Sequence, residues 1–160
     1  MSTKDIEKII PILKNYYRSF PSPSVTQISK EHNKPFFVLI SCILSLRTKD
    51  KTTSAASSRL FKLADSPSRI AKIPLKELEK IIYPVGFFRV KAKNIKKICK
   101  DLILRFKGKV PSRLEDLLTL GGVGRKTANL VLTLGFHKLG ICVDTHVHRI
   151  SNRFGLVKTR

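Results

Sequence analysis

Acidic residues are scarce. The 160-residue chain holds 11 Asp and Glu against 32 Lys and Arg, a net charge of +21 at neutral pH. Self-repulsion on that scale opposes compaction, so a polyanionic partner is the natural reason for it. Nucleic acid comes first, an anionic membrane surface second, and a generally lysine-rich proteome is the reading without a partner. Cysteine is scarce too. Cys42, Cys99 and Cys142 are odd in number and far apart, which argues against a disulfide frame or a metal knuckle and predicts free buried thiols in a reducing compartment. No apolar run approaches the roughly 20 residues of a membrane-spanning helix. The opening MSTKDIEKIIPILKNYY lacks a signal-peptide layout, because charge interrupts its apolar residues. Strand-like alternation never lasts more than a few residues, and neither repeats nor low-complexity tracts occur. The apolar share of 42% is that of a globular chain.

What is present is helical periodicity, and the expected class is all-α. Ile6, Ile9, Ile10 and Leu13 share one face of a first helix over residues 4–18. SFPSPS (19–24) is a Pro/Ser break. PFFVLISCILSL (35–46) is almost wholly apolar and suits a buried central helix entered through proline. Asp50 is placed to cap the next helix, which turns Ala55, Ala56, Leu60 and Phe61 inward. A connector, ADSPSRIAKIP, and a short helix, LKELEKIIY, follow. A Gly-centred turn then leads into a longer helix with Ala92, Ile95, Ile98, Cys99, Leu102 and Ile103 on its buried face. KGKVPSRLEDLLTL gives a brief helix with Ser112 as its candidate cap. LGGVG, a helix from Arg125 to about Leu134 and the Gly-broken GFHKLGIC come next. The last helix follows VDTH, with Asp144 as its cap.

Gly121, Gly122 and Gly124 fall between two short apolar helices. Glycine permits positive φ and close approach of the backbone to another molecule. The helix that starts here offers unpaired N–H groups and the positive end of its dipole, which together make a phosphate seat. This is the physics of a helix-hairpin-helix element, which holds the DNA backbone without reading sequence. A plain helix–helix turn is the alternative. A nucleotide-binding loop is excluded, since it needs four residues between its glycines and a preceding strand.

LGGVGRKTANLVL resembles the hairpin of the endonuclease III family, DNA glycosylases with an associated abasic-site lyase activity. The family usually shows Leu-Pro-Gly-Val-Gly-Arg-Lys-Thr-Ala, and here Gly121 replaces the proline. VDTHVHRISNR (143–153) resembles the family's Val-Asp-Thr-His segment. ILSLRTKD (43–50) and VGFFRVKAKNI (85–95) resemble its two DNA-facing loops. The matches are collinear and cover most of the chain. The resemblance implies the helix-hairpin-helix glycosylase fold. Its central helical domain would span residues 20–135, with the hairpin at about 113–134, and residues 1–19 and 136–160 would form a second, incomplete lobe. It implies base-excision repair: removal of damaged, oxidised pyrimidines from double-stranded DNA and cleavage at abasic sites. The protein would act inside the cell, with the DNA and not at a membrane. The alternative is a helix-hairpin-helix DNA-binding protein without chemistry.

On this resemblance Lys126 attacks C1′ of the damaged nucleotide and forms a Schiff base, and loss of the C2′ proton then permits strand cleavage. The helix dipole and neighbouring Arg125 both disfavour an ammonium at Lys126, and partial burial would push the same way. A phosphate contact is the plainer reading of that lysine. Asp144 reads by itself as a helix cap. The resemblance adds a carboxylate that stabilises the cation developing on the sugar and helps to deprotonate Lys126. Gly121, Gly122, Val123, Gly124, Arg125 and Thr127 would hold the DNA backbone. Base extrusion needs something to fill the gap. Arg47 and Phe87 match the family positions that enter the duplex, against the plainer readings of a solvated helix end and a core aromatic. Phe88 is the likelier core residue of the pair. Arg89, Lys91, Lys93, Lys96 and Lys97 make a basic strip for phosphates or a solvated face. His146 belongs to the matched segment, which makes it a candidate to orient Asp144 or the loop and to meet the DNA, and His148 reads as structural or exposed. Two histidines at i and i+2 diverge on a helix, so a shared metal is not expected.

Most relatives carry four cysteines near the C-terminus that hold a [4Fe–4S] cluster. This chain lacks that spacing, so no cluster and no other cofactor is expected. With the lobe incomplete, apolar faces including Ile6, Ile9 and Leu13 are expected to be exposed.

Overall fold

A computed structural model describes residues 3–159. Every regular element among them is an α-helix: α1 Thr3–Tyr17, α2 Ser24–His32, α3 Pro35–Ser45, α4 Asp50–Leu63, α5 Pro67–Lys72, α6 Leu75–Ile82, α7 Phe88–Phe106, α8 Leu114–Leu118, α9 Arg125–Phe136 and α10 Thr145–Arg153. None of the helices is long and apolar enough to cross a membrane.

The helices fall into two compact units, Pro23–Cys142 and Met1–Ser22 with Val143–Arg160. The central unit is built around α3. Pro35 occupies its first turn, and every residue from Phe36 to Leu44 is buried. A helix apolar on all sides must be covered on all sides, and α2, α4, α7 and α9 pack around it. Each fully buried aliphatic side chain here contributes about 1.5–3 kcal/mol. The long helix α7 extends this core with Ala92, Ile95, Ile98, Cys99 and Leu102, and packs on α5 and α6.

Helix α2 has no side-chain cap that would announce it in the sequence. Its first residue, Ser24, is held by Asp50, whose two carboxylate oxygens accept from Ser24 N at 3.2 Å and Ser24 Oγ at 3.0 Å. Asp50 therefore serves the start of a distant helix, while Lys49 precedes α4 without a side-chain cap. Ser112 does not cap α8, which is entered through Arg113. The buried face of α4 runs through Thr53, Ala56, Ser57, Leu60 and Phe61, leaving Ala55 exposed. The two hydroxyls tolerate burial because Thr53 Oγ1 donates to Lys49 O at 3.3 Å and Ser57 Oγ lies 3.3 Å from Ser41 Oγ. Ile103 lies off the α7 core face and is exposed.

Residues 136–142 belong to the central unit rather than to the terminal one. His137 takes φ 54° at the end of α9, Lys138 N returns to Leu132 O at 3.0 Å, and Asn129 Nδ2 donates to Ile141 O at 3.0 Å. In the terminal unit, Ile10, Leu13, Ile150 and Phe154 are exposed, while Ile6 and Ile9 are half-buried.

Candidate nucleic-acid interface

The hairpin between α8 and α9 is pinned from below by apolar side chains. Leu117, Leu120, Val123 and Ala128 are all buried. Above them, Val123 N donates to Leu120 O at 3.1 Å, and Gly122 holds φ +79°. A bonded four-residue turn with positive φ at its third position is a type II turn, whose second position favours proline and whose third requires glycine. Gly121 occupies the second position. A Cβ there would meet the flexible Lys97 side chain at 3.3 Å, whereas one on Gly122 would lie 3.0 Å from Asn94 Nδ2 in a backbone region that L-residues avoid. Gly121→Pro is therefore expected to raise stability by about 0.4–1 kcal/mol. Gly122→Ala should lower it by about 1–3 kcal/mol and weaken duplex binding. Thermal unfolding and duplex titration of the two variants check this.

The α9 ladder begins with Ala128 N donating to Gly124 O at 2.9 Å. The backbone of Arg125, Lys126 and Thr127 thus lies in the first turn, where helices present N–H groups outward. No acidic residue offsets the dipole there, and the first turn carries Arg125 and Lys126 instead. Like charge at a helix N-terminus costs stability and suits an anion. Lys126 is exposed. Val123 and Thr127 are each 5% exposed, so their side chains are not DNA contacts and only their backbone is available to a phosphate. Asn94 and Lys97 of α7 flank the two turn glycines. The place of Asn94 beside the turn has no local signal in the sequence.

A second surface joins residues 46–49 to 85–88. Arg47 and Phe87 are both exposed and both left-handed, with φ 50° and 57°. The Arg47 guanidinium carbon lies 5.8 Å from the centre of the Phe87 ring. Phe87 is therefore not a core aromatic, whereas half-buried Phe88 packs against the core. Gly86 N donates to Thr48 Oγ1 at 3.1 Å, and a Cβ on Gly86 would lie 2.6 Å from Arg47 O.

The basic strip on α7 is smaller than expected. Lys91 is 5% exposed, and its ammonium donates to Leu44 O at 2.8 Å, to Thr48 Oγ1 at 3.0 Å and to Leu46 O. The end of α3 leaves carbonyls without helical partners, and Lys91 satisfies them, so it is not a phosphate contact. Half-buried Lys96 does the same for Ala71 O and Ile73 O at the end of α5. Arg89, Lys93 and Lys97 remain exposed.

In the terminal unit, Asp144 caps α10: its Oδ1 accepts from His146 N at 3.0 Å and Val147 N at 2.9 Å. The half-buried carboxylate lines an open cleft with Val143, Thr145, His148 and Arg149. His146 is exposed and contributes its amide to the cap. His148 is structural, its Nε2 lying 3.0 Å from Thr159 Oγ1, with Asn152 bridging the two residues.

The cysteines do not fit a [4Fe–4S] cluster, which takes four thiolates. There are three, and burial pushes the thiols of Cys42 and Cys99 up to about 12. Cys142 is half-exposed, not buried as expected, and its Sγ lies 3.5 Å from Lys126 O.

Residues 40–160 match the family described as HhH-GPD superfamily base excision DNA repair protein. Endonuclease III of Thermotoga maritima is 49% identical over 138 residues, covering 85% of this chain and 65% of that protein. Endonuclease III of Haemophilus influenzae is 42% identical over 146 residues, covering 91% and 68%. The chain thus spans about two thirds of the length of these relatives. A solved structure of a trapped endonuclease III–DNA covalent intermediate superposes with a TM-score of 0.85 at 34% identity, covering 99% of this chain and 71% of that one.

Proposed function

This chain belongs to the endonuclease III family of the HhH-GPD superfamily, and on that footing we propose that it is a base-excision repair DNA glycosylase with abasic-site lyase activity. Its substrate is double-stranded DNA carrying oxidised pyrimidines or abasic sites. The observation that carries the reading is the placement of Lys126: an exposed lysine in the first turn of α9, directly after the glycine turn.

The chemistry follows from that placement. Backbone N–H groups around Gly122, Gly124 and Arg125 hold the DNA strand, and the strand brings a sugar to the amine. The nitrogen lone pair attacks C1′, the glycosidic bond breaks, and the base leaves with a proton. Ring opening gives an imine between Lys126 and C1′. Removal of a C2′ proton then expels the 3′ phosphate by β-elimination, and water releases the amine from the sugar remnant. Asp144 supplies the carboxylate that stabilises positive charge on the sugar as the base departs. Arg47 and Phe87 occupy the space that the extruded nucleotide leaves.

Duplex oligonucleotides that carry one oxidised pyrimidine or one abasic site test this. The expected products are free base from the first and a β-elimination nick in both. Salt-sensitive duplex binding with neither product would leave a DNA-binding protein without chemistry.

A further inference from the structure

We infer that Lys91 is a positioning residue, whose buried ammonium locks residues 46–49 against Gly86 so that Arg47 and Phe87 project as one rigid wedge. This rests on the reading of those two side chains as the ones that enter the duplex.

An ammonium has three donors, and Lys91 spends one each on Leu44 O, Leu46 O and Thr48 Oγ1. The Thr48 hydroxyl accepts from Lys91 Nζ and Gly86 N and donates to Leu46 O at 3.2 Å. Leu46 O therefore takes two donors, one for each lone pair. The three ammonium donors, the Thr48 hydroxyl and both lone pairs of Leu46 O are all engaged. A satisfied buried network of this kind fixes a single geometry. Burial pushes Lys91 down to about 8, so at neutral pH it is still cationic and keeps all three donors.

What the network fixes is otherwise unfavourable. Arg47 and Phe87 both sit in the left-handed region, which is unfavourable for a residue with a side chain. Such conformations persist only where their surroundings over-determine them. Here the loops are pressed backbone to backbone, since even a methyl group on Gly86 would collide with Arg47 O. Lys91 lies one helical turn beyond Phe87 and reaches back across 45 residues to the carbonyl that precedes Arg47. It thereby ties both wedge residues to one node. Satisfying the end of α3 alone would involve neither Thr48 nor Gly86.

The test uses the full chain and a duplex with 2-aminopurine opposite a tetrahydrofuran abasic analogue, which cannot form an imine. Insertion of the wedge unstacks the fluorophore and raises its emission. Lys91→Met should bind this duplex within about threefold of the parent, because phosphate contacts set affinity. It should lose most of the brightening. On a natural abasic duplex its cleavage rate constant should fall about tenfold or more, as a misplaced positioning element predicts. Thr48→Val breaks the same node without touching the lysine and should give the same pattern. If Lys91→Met fails to fold, Thr48→Val decides by the same readouts. Unchanged brightening and rate would overturn the inference. So would a parallel loss of affinity and brightening in a folded variant, which would make the lysine an ordinary scaffold or phosphate contact. A parent protein that brightens the analogue but never cleaves the natural site would sink the proposed activity and leave the wedge standing.

Discussion

Lys126→Ala is expected to abolish abasic-site cleavage while leaving DNA binding nearly intact. The residue is exposed at the helix start, so the fold and the glycine turn should persist. Duplex affinity should fall only as the loss of one cation predicts, with the salt slope changing by about 0.9. The lyase rate should drop by more than about 10³-fold, since no other group can replace a covalent nucleophile. Single-turnover cleavage measured beside a salt titration separates the two effects. Binding and cleavage that fell together would reduce Lys126 to one more phosphate contact.

Asp144→Asn is expected to have the second-largest effect, and it divides two roles that the wild-type residue combines. Asp144 caps α10 through Oδ1, which accepts from two successive amides. Asparagine caps helices as well as aspartate, so α10 should form and the melting temperature should hardly move. What disappears is the negative charge. If that charge stabilises the developing cation on the sugar, base release should slow by about 10²–10³-fold. The measurement is single-turnover release of an oxidised pyrimidine, with thermal unfolding as the control. Undiminished release from a folded Asn variant would leave Asp144 a helix cap and nothing more.

The parts of this protein that were legible in its sequence are those specified locally. The apolar run from Pro35 suits a buried helix entered through proline. The glycines at 121, 122 and 124 require a turn, and Asp144 stands where a cap belongs. The parts that were not legible depend on distant partners. Helix α2 has no side-chain cap of its own and draws its carboxylate from Asp50, 26 residues later. Lys91 looks like one more cation on a basic helix until the end of α3 and Thr48 are brought to it. A charge run predicts a solvated face because most charges are solvated, and the exceptions are set by tertiary structure. Val123 and Thr127 show the same limit from the other side. They lie within the hairpin motif, yet their side chains serve the core.

The central claim is that one amine both sits in the phosphate-holding turn and forms the bond to the sugar. Borohydride reduction of the complex with an abasic duplex, followed by proteolysis and peptide mass analysis, tests it most directly. The account predicts a single adduct, on the peptide that contains Lys126. An adduct on any other amine, or none under conditions in which the strand is cut, would contradict it.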